Sequence, residues 1–139
     1  MEQNTWIGVV TAIGAVIFVL FSGTNSAVKN LEAEVMAIHD EAMVEMAEMN
    51  RVGRALKRIL RTLPTSSPRA DSINAVLHQM KKAENDMYTW MRQYSPPTEY
   101  LPEEQALRYL EEQKRLIAQN QQDIRNARDA AKQLLQIQQ

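Results

Sequence analysis

The sequence predicts an all-α protein: one N-terminal transmembrane helix followed by an elongated three-helix antiparallel coiled-coil-like bundle. Three observations carry this reading. Residues 6–23 form an uncharged apolar run, residues beyond it repeat apolar side chains at 3-4 spacing, and proline clusters punctuate the chain at two places. No segment alternates apolar and polar residues as a strand would, and 4 glycines with 5 prolines in 139 residues are too few for a turn-rich β fold.

The apolar run is WIGVVTAIGAVIFVLFSG, from Trp6 to Gly23. A spanning helix needs about 20 apolar residues, with a lower limit near 17, so this run is just long enough. Trp6 stands at one end, where an indole suits the headgroup region. Gly8, Ala12 and Ala15 follow at i, i+4 and i+7, a small-residue face on which membrane helices pack closely. A cleaved signal peptide fits less well. The leading MEQNT holds no Lys or Arg, and the best cleavage candidate, after Asn25-Ser26-Ala27, has Asn where a small residue is expected. Residues 1–25 are therefore expected to be an uncleaved single-span anchor. The flanking charges give little orientation: only Lys29 lies close by, which taken alone favours a cytoplasmic C-terminus.

Residues 26–139 read as one extramembrane domain of three helices, about 26–63, 71–94 and 102–136. Asn25 or Ser26 can cap the first, and Pro64 with Thr65-Ser66-Ser67-Pro68 ends it. Its apolar series is Val28, Leu31, Val35, Ile38, Ala42, Met46, Met49, Gly53, Leu56, Leu60 and Leu63, with a stutter at Ile38–Ala42–Met46. Asp71 or Ser72 is the expected cap of the second helix, and Ser95-Pro96-Pro97 its stop. Ile73, Val76, Met80, Ala83, Met87, Trp90 and Tyr94 hold a 3-4 repeat without a break. Pro102 opens the third helix, with Glu103 and Glu104 favoured by the dipole in its first turn. Its seam of Ala106, Leu110, Gln113, Ile117, Asn120, Ile124, Ala127, Ala131 and Leu134 is thin and carries two amides. That thinness, together with unequal helix lengths, predicts a stripe left over for an outside partner.

Charge is zoned. Residues 26–50 hold one lysine and six acids, residues 51–69 six basic residues and no acid, and the third helix repeats the order more weakly. In an up-down-up arrangement the two acidic halves would lie near the membrane and the two basic halves far from it. Acids first and bases last suits the helix dipole, but the block 51–61 is longer than the one turn over which the dipole acts. Arg51, Arg54 and Arg58 are accordingly candidates for docking an acidic partner. Tyr88 and Tyr100, near the end of the second helix, are further interface candidates, while Trp90 and Tyr94 fall on the seam.

Chemistry is not written in this chain. Cysteine is absent, the two histidines are isolated, and no nucleophile–base pair, phosphate loop or repeated Glu-x-x-His pattern occurs. An enzyme is not expected, nor a small-molecule substrate or cofactor. A formal net charge of −1 gives no basic field for nucleic acid. One metal reading competes: Met36, His39, Met43 and Met46 share a helix face, and thioether with imidazole suits Cu(I). Met-rich packing explains the same residues more simply.

The stretches EVMAIHDEAMVEM (34–46), WMRQYSPP (90–97) and EEQALRYLEEQKRLI (103–117) together resemble small helical envelope proteins of Bacteroidota-type bacteria, commonly lipoproteins with no assigned activity. This chain departs from that pattern by lacking the lipoprotein cysteine and a proline after His39-Asp40-Glu41. The resemblance implies a domain on the periplasmic side of a bacterial membrane, and no substrate, cofactor or catalytic residue. The expected role is a non-catalytic accessory or structural subunit of a larger inner-membrane complex, an electron-transfer complex among the hosts, with other membrane-protein subunits and the lipid bilayer as partners. A periplasmic Cu(I)-binding module and a self-assembling coiled-coil scaffold are the alternatives.

Overall fold

The computed structural model describes residues 4–97 and 101–136, with side chains from residue 26 onward. Among these the chain is all-helical: α1 (Asn4–Leu60), α2 (Pro68–Gln93) and α3 (Glu103–Gln136), with no strand. They form a helical bundle in which α1 packs most extensively on α3, and both pack on α2.

The boundaries differ from the sequence expectation in informative ways. No break occurs at Asn25-Ser26: α1 is one helix of 57 residues, roughly 85 Å long at 1.5 Å per residue. Residues 1–63 contain no proline, and an interior glycine such as Gly23 costs only about 1 kcal/mol, too little to interrupt a helix by itself. At the other end Thr62 N and Oγ1 both donate to the Ile59 carbonyl at 2.8 Å, and Leu63 N donates to Leu60, tightening the last turn before Pro64. Helix α2 starts at Pro68, not at Asp71. Ser67 is its N-cap, extended at φ −76° and ψ 128°, and Pro68 loses nothing in the first turn, where its missing N–H would be unpaired anyway. Asp71 sits in that first turn, and Ser72 Oγ donates back to the Pro68 carbonyl. The α3 start matches closely, with the Pro102 carbonyl accepting from Gln105 N and Ala106 N at 2.9 Å.

Polar pairs fix the topology. Lys114 meets Glu34, Gln121 meets Glu41, Arg125 meets Glu45 and Arg128 meets Glu48, each pair 80 residues apart. Helices α1 and α3 are therefore parallel, with α3 level with residues 23–56 of α1. Asn50–Glu84 and His39–Trp90 run in opposite order, which makes α2 antiparallel to α1. The offset of 80 corrects the expected charge layout. The basic half of α3 lies along the acidic half of α1, so unlike charges face each other.

The buried core follows the predicted seams: Val28, Val35, Ala42, Met49 and Leu56 from α1, Ile73, Met80, Met87 and Trp90 from α2, Leu110, Ile117 and Ile124 from α3. Ala106, Ala127 and Ala131 are also buried, so the thin α3 seam is covered within the chain, contrary to the expectation of a leftover stripe there. The buried amide is Gln121, one residue past the predicted Asn120, and it donates to Glu41 and Glu45.

Gly53 of α1 faces Met80 and Leu77 of α2. A Cβ built there meets Met80 Cε at 2.4 Å. Gly53→Ala is expected to be nearly neutral, because the flexible end of Met80 can swing aside while alanine favours the helix by up to about 1 kcal/mol. Gly53→Leu should cost about 1–3 kcal/mol by forcing the helices apart, read as a drop in thermal midpoint of the chain in detergent.

Candidate functional site

The outer face of α1 carries a row of exposed side chains. Val44, Arg51 and Arg58 repeat every seven residues, and all three are exposed, Val44 at 73%. Arg54 and Arg61 are exposed beside them. The reason they stand free is the offset described above. Residues 51–56 lie level with the last turns of α3, after its acids have ended, and residues 57–61 run past Gln136. Among the described residues Arg54, Arg58 and Arg61 have no acid within ion-pairing distance, and Arg51 reaches only Glu48, at 3.7 Å. Glu48 in turn holds Lys132 at 2.7 Å, which draws its carboxyl below the usual carboxylate range, with Arg128 and Arg51 adding to the effect. Lys132 therefore belongs to this surface, although nothing in the local sequence pattern singled it out. Only the α1–α3 offset brings it there.

Arg51, Arg54 and Arg58 are thus all exposed on α1. Tyr88 is exposed on α2, 40% accessible, with Met91 one turn on. Tyr100 lies outside the described residues, and so do the side chains of Gly8, Ala12, Ala15 and the rest of the predicted span 6–23, whose backbone belongs to α1.

The Met/His stripe divides between environments. Met46 is buried in the core, Met43 packs against the core's edge, and Met36 is exposed. His39 Nδ1 lies 3.0 Å from Asp40 Oδ1, and its ring stacks on Trp90 at 5.7 Å. The stack continues to Tyr94 at 4.8 Å and on to Tyr109 at 6.3 Å, joining all three helices through four rings. Such aromatic contacts favour packing beyond their buried area. Among the described residues no three His, Cys, Asp or Glu side chains gather to hold a metal ion. The stack was only half legible. Trp90 and Tyr94 lie on the α2 seam, but Tyr109 meets Tyr94 through tertiary pairing alone.

Burial pushes the Tyr94 phenol up to about 12, with the charges of Glu32 and Tyr109 adding to it. Its hydroxyl is buried and makes no hydrogen bond among the described residues. The folded value lies above the unfolded 10.0, so titration of this phenol leaves stability unchanged below pH 10 and lowers it as pH rises from there towards 12. Tyr94→Phe is expected to stabilise the chain at neutral pH by up to about 1 kcal/mol, since it removes a desolvated hydroxyl. It should also shrink the alkaline loss of stability. Thermal melts of both proteins at pH 7 and pH 11 check this.

No protein-family model matches this chain, and neither a curated protein nor a solved structure is detectably similar to it.

Proposed function

We propose that this chain is a non-catalytic, single-span membrane protein that serves as an accessory or structural subunit of a larger bacterial inner-membrane complex, with its bundle in the periplasm. The supporting observation is α1 itself. It runs unbroken from Asn4 to Leu60, so the apolar run 6–23 and the bundle share one shaft, whose far end carries an unneutralised cationic face. From residue 26 onward no helix is long and apolar enough to cross a membrane, so a crossing rests on 6–23. The resemblance to envelope proteins supports the periplasmic side. The heptad seam of α2 is used inside the chain, with Ile73, Met80, Ala83, Met87 and Trp90 all buried, which leaves less to drive a self-assembling scaffold.

Gentle detergent extraction of a C-terminally tagged chain, followed by native electrophoresis and mass spectrometry, tests the proposal. The chain is expected to migrate in a large complex with other membrane proteins at fixed stoichiometry. Migration alone, or only with copies of itself, would defeat it.

A further inference from the structure

Between α1 and α3, at the end of the bundle far from residue 23, lies an open groove of ≈ 370 Å³ lined by Arg51, Val52, Ala55, Arg58, Lys132 and Leu135. Its floor is apolar and its rim holds three cations. The acids nearest this rim, Glu48 and Asp129, are shared among Lys132, Arg51 and Arg128, and Arg58 pairs with neither, so the rim keeps an excess of positive charge. We propose that this groove is the docking site for an acidic amphipathic helix of a partner protein. On that helix an apolar side chain seats on Val52, Ala55 and Leu135, and carboxylates within one turn on either side pair with Arg51, Arg58 and Lys132. This rests on the accessory-subunit reading and names the chemistry of the partner's contact.

The occupant follows from charge and position. Arginine at such a rim matches a carboxylate through two parallel N–H donors, and an arginine surrounding an apolar pocket is a common anchor of protein interfaces. A second copy of this chain is a poor occupant. Two copies rooted in one membrane run side by side and bring their 51–61 blocks together, cation against cation. The acids that would complement them, Glu34, Glu41, Glu45 and Glu48, already face Lys114, Gln121, Arg125 and Arg128 within each copy. Lipid of the chain's own membrane is out of reach, because residue 52 lies 29 helical residues beyond residue 23, roughly 40 Å along the shaft. Ion pairing within the bundle does not account for the exposed arginines of α1: among the described residues Arg58 pairs with no acid, and Arg51 reaches Glu48 alone, at 3.7 Å.

The test uses the full chain in its native membrane. Arg51→Glu/Arg58→Glu is expected to lower the partner recovered on native gels at least tenfold while leaving the thermal midpoint of the chain unchanged, since both side chains are exposed. A photoreactive phenylalanine at position 55 is expected to crosslink to a helical segment bearing Asp or Glu within one turn of the attached residue. The proposal is overturned if the double reversal retains its partner in full. It is equally overturned if position 55 crosslinks to lipid, to a second copy, or to a segment without acids. A complex that survives the reversal removes the groove and leaves the subunit reading standing, whereas a wild-type chain that migrates alone removes both.

Discussion

Ile117→Ala is expected to destabilise the bundle by about 3 kcal/mol and to lower its thermal midpoint by roughly 10 °C. Ile117 is fully buried near the middle of α3. By the offset of 80 it lies level with the α1 turn that carries Val35 and Ile38, and it shares one buried cluster with Val35 and Met87, both also at 0% exposure. Truncation removes three carbons from a place where all three helices converge. Long helices braced along their length cannot collapse locally into the space, so both the transfer loss and the cavity loss apply. Val44→Ala is the matched control. It also removes carbons from a β-branched residue, but Val44 is 73% exposed, so its effect should stay within about 0.5 kcal/mol. Circular dichroism melts of the full chain in detergent measure both. Equal losses at the two positions would mean that α3 is not docked where the seam places it.

That contrast also shows what kind of information a sequence holds here. The α2 seam is periodic and self-contained, and every predicted member from Ile73 to Tyr94 is buried or partly buried. The stuttered α1 series is equally faithful: Ala42 and Met46 lie in the core on either side of the phase change. Period identifies which face turns inward. It does not identify which neighbour that face meets, or at what height. Val52 was missed because the core of three helices is wider than a single 3-4 stripe, and Val52 lies on the side of α1 turned to α3. Gln121 was missed for the same reason: its burial is set by Glu41 and Glu45 across the α1–α3 interface. The vertical offset was the largest gap. Reading α1 and α3 as parallel led to like charge halves side by side. Sliding α3 until Lys114 reaches Glu34 brings unlike halves together instead, and leaves Arg54, Arg58 and Arg61 without an acid partner among the described residues. The candidate site was therefore legible as a list of arginines, while its groove, Lys132 included, was not.

The second large effect should come from Glu45, the residue that fixes this offset. Its side chain is only 15% exposed and accepts from Arg125 Nε at 2.9 and 2.8 Å, from Gln121 Nε2 at 3.2 Å and from Arg128 Nη1 at 3.4 Å. Exposed ion pairs contribute little, up to about 1 kcal/mol, whereas breaking a fully buried pair costs about 3–5 kcal/mol. Glu45 lies between these limits. Arg128 keeps Asp129 at 2.8 Å and Glu48 at 3.6 Å, and Gln121 keeps Glu41, so neither donor is wholly orphaned. Glu45→Ala is accordingly expected to cost about 2 kcal/mol. Glu34→Ala should cost less, because Glu34 and Lys114 are 56% and 39% exposed and both return readily to water. Acid should act on the same ladder through Glu48, and on two pairs outside it, Glu84 with Lys81 and Asp129 with Arg128. Lysine and arginine partners hold Glu48, Glu84 and Asp129 below their ordinary values of 4.5, 4.5 and 3.8. Their contribution is present above those values and lost as pH falls through the lower folded ones, so the thermal midpoint should decline on acidification below about pH 4.5. Glu48→Gln should flatten part of that decline without moving the midpoint's alkaline side. A midpoint independent of pH between 6 and 3, with Glu45→Ala no more costly than Glu34→Ala, would show that apolar packing alone sets the height of α3 on α1.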